Sequence, residues 1–414
     1  MVEMDNMTLK KMLIETEPDF SAKIIDGFIV ADIDEEALGI LKRKWSQKSN
    51  REDFLQFSTE KVLQATGLMS DKGLNYACLI LLGEKEKIDE YLPGSEIIFE
   101  WRQDNNKISY DYRKNWREPF FKIYEEIWAA INARNLRMPF QEGFVQREIY
   151  AFSEKPIREA ILNAVAHRDY SINKQSIFMK ASPEEFVIES PGGLLPGITP
   201  ENIIYKSAWR NRTIAEVFEK AGLVERSGQG MDDIFSSSIK EGKGLPDLTE
   251  SNPFSVKLKM PAKVKDKNFI IFLEKVANEK QISLSIEEIC ELEQIREHQK
   301  TNKIEHKEKF MKNGIIEKIG KARGTKYILS HTYYKHEGKV GVYTRLSGVS
   351  REKQKELIIM HIEKNGKGFL SEFIDIFPEL KIKDINNLLQ ELRRSGIVHF
   401  IGPKRSGYWG IINK

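Results

Sequence analysis

In the stretch REAILNAVAHRDYS, residues 158–171, Glu159, Asn163 and His167 recur at steps of four. Residues four apart share one face of a helix, so a helix that is otherwise apolar through Ile161, Leu162, Val165 and Ala166 would carry a polar stripe. A carboxylate on that stripe can orient or deprotonate water, and an amide oxygen suits Mg²⁺, which takes oxygen ligands and keeps several of its waters. Taken alone, the stripe reads as the solvated side of an amphipathic helix. His167 and Arg168, one turn on, could meet a phosphate or balance the helix dipole. Asp169 and Tyr170 read as helix termination and packing.

Two glycine-bearing stretches follow in order. SPGGL, residues 190–194, comes after the strand-like EFVIES, and SGQGMDDI, residues 227–234, sets Gly228 and Gly230 ahead of a helix. Glycines let a backbone approach an anion closely and present N–H groups to it, and a helix N-terminus behind them favours negative charge. A nucleotide site without a phosphate loop needs a carboxylate for water, a neutral oxygen for magnesium and backbone donors for phosphates. The stripe and the two stretches offer all three, although Gly192 and Gly193 also read as a tight turn after Pro191. G-x-x-x-x-G-K-[ST] occurs nowhere in the chain, so a helicase motor is excluded.

The order of E-x-x-x-N helix, strand, glycine turn, lid-like segment and G-x-G before a helix resembles the Bergerat-fold (GHKL-type) ATPases, the class of gyrase, histidine kinases and MutL. More narrowly, REAILNAVAHRDYS, ESPGGLLPGITPENI and RNRTIAEVFEKAGLVERSGQGMDDI are similar to the Schlafen/Alba-type, RecG-like ATP-binding transcriptional regulators, over about residues 25–260. The resemblance implies ATP and Mg²⁺ as ligands. It makes Glu159 the catalytic, water-activating acid and Asn163 the metal ligand. His167, Ser190, Gly192, Gly193, Gly228 and Gly230 would line the nucleotide, and the stretch from Leu194 to Arg212 would be its lid. Where that class carries Asp to accept from the adenine amino group, this chain has Ser190, whose hydroxyl can accept the same bond without the charge. The narrower family carries an N-terminal Alba-type module, which this chain is expected to lack.

These residues need elements to position them. At 414 residues the chain exceeds one ordinary core, and 40% hydrophobic with 31% charged residues suits folded domains. The expected fold class is α+β multidomain, a Bergerat-type α/β sandwich followed by two winged-helix domains. A small α/β unit is expected over 1–105, with LNYACLILLG and SEIIFEWRQ as strands. The ATP-binding domain follows over 106–262, containing a helix near 118–135, an extended stretch from Met138 to Phe152, and a helix from Thr213 to Lys220. No apolar run approaches a membrane span, and the N-terminus is unlike a secretory signal, so a cytoplasmic protein without membrane contact is expected. Cys78 and Cys290, both set among apolar residues, read as buried thiols rather than a disulfide or metal site.

Beyond the linker PAKVKDK, the pattern changes to short helices and hairpins. The expected order is a helix at KNFIIFLEKVANEK, a second opened by a capping box of Ser285 and Glu288, and a long polar helix over 297–312. A strand, basic turn and strand follow in GIIEKIGKARGTKYIL. The same order returns after residue 350, giving winged helices over 263–336 and 345–414. A winged helix offers its third helix to the major groove and its hairpin to the backbone. In the first copy those elements carry Lys300, Asn302, Lys303 and Lys307, then Lys321, Arg323 and Lys326. In the second they carry Lys381, Lys383, Asn386 and Asn387, with Arg393 and Arg394 nearby, then Lys404 and Arg405. Glu305 and Glu308 would repel phosphate, and winged helices also join proteins, so the second copy is the better candidate. Net charge is only +3, so any DNA interface must be a local patch. The function expected is an ATP-binding, DNA-binding regulator whose nucleotide state controls engagement of double-stranded DNA, with homodimerisation on ATP binding. The alternative is an ATPase that powers DNA or partner remodelling, as in phage defence.

Overall fold

The computed structural model describes residues 19–412 apart from 106, 143–144, 207, 225–229, 300, 303, 320–324, 336–350, 379 and 404–406. Two compact units make up the chain, Met1–Lys265 and Asp266–Lys414.

The first unit opens with a helical layer: α1 (Glu35–Ser49), α2 (Thr59–Thr66), α3 (Tyr76–Leu82) and α4 (Lys85–Tyr91), with a two-residue hairpin of β1 (Met69–Ser70) and β2 (Gly73–Leu74) between α2 and α3. The first three helices start at side-chain caps. Asp34 accepts from the Ala37 amide, Ser58 from that of Lys61, and Asn75 from that of Cys78. The expected strand at residues 74–83 is therefore wrong: it is α3, and all but its first residue are buried. A short, continuously apolar run does not distinguish a buried strand from a buried helix. Asn75 at its head was the signal that does.

Next come β3 (Ile97–Trp101), β4 (Tyr112–Trp116), α5 (Phe120–Asn132), the hairpin of β5 (Arg137–Glu142) and β6 (Val145–Tyr150), and α6 (Glu154–His167). The unit closes with β7 (Ile177–Ala181), β8 (Glu185–Pro191), α7 (Arg212–Lys220), α8 (Gly230–Lys240) and β9 (Ser255–Pro261). Five strands form one mixed sheet in the order β4-β3-β7-β8-β9, in which only β3 and β7 run parallel. β3 is buried along its whole length and is apolar except for Glu100, whose buried carboxylate pairs with Arg102 and Arg113. It belongs to the stretch before residue 105 yet pairs with β7, so the sheet crosses the boundary expected there. On β8 and β9 the register sets Ile188 opposite Leu258 and Ser190 opposite Val256. These four residues share one face of the sheet, and α6 packs against β8 and α8.

The second unit contains α9 (Lys267–Lys280), α10 (Ile286–His298), α11 (Lys307–Lys312), a hairpin of β10 (Ile316–Ile319) and β11 (Lys326–Leu329), and α12 (His331–Lys335). It continues with α13 (Arg351–Asn365), α14 (Leu370–Ile376), α15 (Ile382–Arg394) and a hairpin of β12 (Val398–Ile401) and β13 (Tyr408–Ile411). The capping box at Ser285 and Glu288 forms. The expected long helix over 297–312 does not. α10 stops at His298, Gln299 takes a left-handed φ of 59°, and Thr301 bridges Tyr327 of β11 before the six-residue α11 begins. Gly368 makes the matching bridge to Trp409 of β13, but two helices, α14 and α15, lie between that bridge and β12. The two halves thus correspond at their hairpins and bridges, not in the helices between them.

Candidate functional site

The polar stripe lies on α6, and the local sequence explains that helix. Pro156 sits in its first turn, where the missing N–H costs nothing. Ile157, Ala160, Ile161, Leu162, Ala164 and Val165 are buried. The chain leaves the helix after His167, and Asn211, fully buried and distant in sequence, completes the end. Its Nδ2 donates to the carbonyls of Ala166 (3.0 Å) and Arg168 (2.7 Å), and its backbone N–H donates to Ala166 as well (3.1 Å). Carbonyls left over at a helix terminus need such partners.

The stripe faces a cavity of about 880 Å³ walled by α6, α7, α8, β8, β9 and the stretch between β8 and α7. That size falls within the roughly 300–1,000 Å³ typical of small-molecule sites. Glu159, Asn163, His167, Ser190, Gly193 and Gly230 all line it. The floor is the apolar sheet face of Ile188, Val256 and Leu258 with Ser190 set among them, and the roof includes Leu194, Leu195, Ile198, Ile203 and Trp209 from the expected lid. Trp209 is half exposed (52%).

Each lining residue has a distinct setting. The Ser190 hydroxyl is buried and donates to the Ala164 carbonyl at 2.8 Å, so its lone pairs are left to accept. The Asn163 amide and the His167 ring are half-buried and make no hydrogen bond among the described residues. Burial and the nearby Arg210 guanidinium pull the His167 pKa down to about 4, so the ring is neutral at neutral pH. Arg210 donates to the Gly193 carbonyl (2.7 Å) and stands 3.7 Å from Asp169. At the start of α8, a Cβ built on Gly230 would fall 1.8 Å from Oε1 of Glu159, so the carboxylate rests against bare backbone that only glycine leaves open. Lys155 of α6 pairs with Asp233 of α8 at 2.8 Å, holding the two helices together on the same wall. Among the described residues no group of three or more His, Cys, Asp or Glu side chains could hold a metal ion.

Several expectations are corrected. Gly192 does not line the cavity. It is buried at φ +98°, its N–H donates to the Phe254 carbonyl at 2.7 Å, and a Cβ there would strike Asp169, so its glycine serves the turn. Arg168 is buried and does not line the cavity, and its guanidinium donates to the carbonyls of Gly94 (2.6 Å), Ile172 (3.3 Å) and Gln175 (2.8 Å). Tyr170, by contrast, packs as expected, its buried hydroxyl donating to the Val165 carbonyl. Gly228 lies outside the described residues, as do Lys300, Lys303, Lys321, Arg323, Lys404 and Arg405. Of the remaining candidates for DNA, Lys307 starts the short α11 and Lys326 starts β11, both exposed. Lys381 precedes α15, and Lys383, Asn386 and Asn387 lie on it. All four are exposed. Sequence reasoning missed Asn211, Arg210 and Lys48, the last reaching the cavity from α1. Arg210 and Asn211 open the stretch RNRTIAEVFEKAGLVERSGQGMDDI, but nothing in its pattern marks their contacts, and Lys48 lies outside every such stretch.

A family model named HATPase_c_4, described as "Putative ATP-dependent DNA helicase recG C-terminal", matches residues 175–258. That span takes in β7, β8, α7, α8 and the start of β9 but leaves out α6. This part of the chain is therefore similar to an ATPase-type domain, which is consistent with ATP binding. A second family model, described as a domain of unknown function (DUF8451), matches residues 10–98. No curated protein matches the chain. The crystal structure of the DIP2311 protein from Corynebacterium diphtheriae is similar over 98% of this chain and 72% of that one. Its TM-score is 0.58 and its identity 16%, a likeness of fold alone. Among the described residues no helix is long and apolar enough to cross a membrane.

Proposed function

We infer that the α6–α8 cavity binds ATP with Mg²⁺ in a Bergerat-type site, and that the protein is a nucleotide-responsive DNA-binding regulator. One observation carries the nucleotide reading. Six residues expected at the nucleotide, drawn from three separate stretches, line a single cavity that also includes the segment matched to an ATPase-type family. The residues present fit the ligands. The Asn163 amide, without a hydrogen bond among the described residues, offers an oxygen to magnesium, which when bound would neutralise charge on phosphate oxygens. The apolar floor suits a base, with the Ser190 hydroxyl accepting from its amino group. Glu159, seated against Gly230, is the group to orient and deprotonate water if ATP is hydrolysed.

The DNA reading rests on the second unit. α15 carries exposed Lys383, Asn386 and Asn387, with exposed Lys381 just before it, beside the β12–β13 hairpin, an arrangement that suits a winged helix with α15 in the major groove. Among the described residues the first half offers exposed Asn302, the six-residue α11 with Lys307, and the hairpin with Lys326, and Glu305 and Glu308 stand beside them, so the second half is the better reader. A helicase is not proposed, because the chain lacks a phosphate-loop motif. Homodimerisation on ATP binding is part of the same proposal.

Calorimetric titration of MgATP into the wild type and Asn163→Ala tests the nucleotide site. The wild type should bind and the variant should lose about ten-fold in affinity or more, as expected when one metal-directed contact is removed. Absence of binding by the wild type would end this reading.

A further inference from the structure

We propose that Lys48, on α1 of the N-terminal helical layer, is a ligand for the phosphate tail of the bound nucleotide. This rests on the nucleotide reading above and assigns the site a residue from outside the segment matched to an ATPase-type family. Lys48 is exposed, lines the cavity, and has no hydrogen bond or ion pair among the described residues. Its methylene stem lies across Gly222, where a Cβ would sit 3.1 Å from both Cβ and Cδ of the lysine. Gly222 has φ +68° and follows α7, so glycine there both permits the turn and clears the path of the stem. The cavity wall continues from Gly222 through Leu223 and Val224 and resumes at Gly230, where the chain enters α8. A lysine stem held flat on backbone with its ammonium unclaimed at that end of the cavity is arranged to meet an anion.

The surroundings fix α1 for this purpose. Lys44, one turn before Lys48, pairs with Glu125 at 3.1 Å, and Glu125 pairs with Arg158 of α6 at 2.5 Å, beside Glu159. α7, between lid and glycine loop, is held at both ends by the same layer. Asp19 accepts from the Thr213 amide and hydroxyl at 2.8 Å each, and Lys220 donates to the Ala65 carbonyl at 2.9 Å. Acidic groups on this wall include Glu216, paired with Arg212 at 2.8 Å, and Glu219. Through Lys48 the N-terminal layer would sense how many phosphates the cavity holds.

The test is calorimetric titration of ATP, ADP and AMP, each with magnesium, into the full chain as wild type, Lys48→Met and Lys48→Arg. Methionine keeps the stem and removes the charge. The proposal requires Lys48→Met to weaken ATP by about ten-fold while leaving AMP nearly unchanged, and Lys48→Arg to restore most of the difference. Equal affinities in wild type and Lys48→Met, or equal weakening of all three nucleotides, would overturn it while leaving the cavity a nucleotide site. A wild type that binds none of the three would overturn both readings. Melting curves should coincide for all three proteins, because Lys48 is exposed.

Discussion

His167 shows how one side chain's setting decides its chemistry. In sequence it is a basic residue in the last turn of a helix, where the dipole would favour its charge. In the fold, burial and Arg210 outweigh the dipole and hold the ring neutral, with a pKa lowered from the ordinary 6.5 to about 4. The unfolded chain therefore takes up this proton at a higher pH than the folded chain. Stability from this group is complete above pH 6.5 and is lost as pH falls towards about 4. Melting temperatures of the wild type should fall across that window, and His167→Gln should flatten the fall. An unchanged slope in the variant would assign the acid sensitivity to another group. Arg168, next in sequence, took the opposite course. Its charge is spent on three backbone carbonyls, an outcome that depends on where Gly94 lies and not on the helix it follows.

At the level of elements, the meeting of α6 and α8 is the decisive contact. Gly230 opens α8, and alanine is favoured over glycine in a helix by up to about 1 kcal/mol. Gly230→Ala should therefore keep or slightly raise the melting temperature. The new methyl must nonetheless displace the Glu159 carboxylate, whose Oε1, Cδ and Cγ all lie within 3.0 Å of it. A displaced carboxylate intruding on the phosphate end should weaken MgATP on the order of ten-fold, measurable by calorimetry. Normal affinity would show that the Glu159–Gly230 contact is packing only. The elements also show where pattern reading stops. α6, β7, β8 and α7 were legible because their periodicities are clear and Gly and Pro punctuate them. α3 was misread because a wholly apolar run carries no period. The helix expected over 297–312 was misread because its polar residues fit a helix, and nothing in the local pattern revealed that Thr301 pairs with Tyr327.

For the molecule as a whole, the division at residue 265 separates the two proposed activities. Every residue lining the cavity lies between Lys48 and Leu258, within the first unit. A chain ending at residue 265 should bind MgATP as the full chain does and lose salt-dependent retention of double-stranded DNA, followed by fluorescence anisotropy at several salt concentrations. Retention of DNA by the shorter chain would move the interface out of the second unit.

By itself the sequence determined the ingredients of the site: the polar stripe on one helix, the two glycine stretches, the apolar strands and the basic residues of the hairpins. These are local properties, set by spacing along the chain and by the conformations that Gly and Pro allow. Only the tertiary structure decided which ingredients meet. It brought Gly230 against Glu159 and Gly193 to the cavity wall, turned Gly192 to the service of a turn, set Asn211 at the end of α6, and brought Lys48 from outside the motifs to the cavity. Such meetings depend on packing between segments far apart in sequence, and no window of residues encodes them.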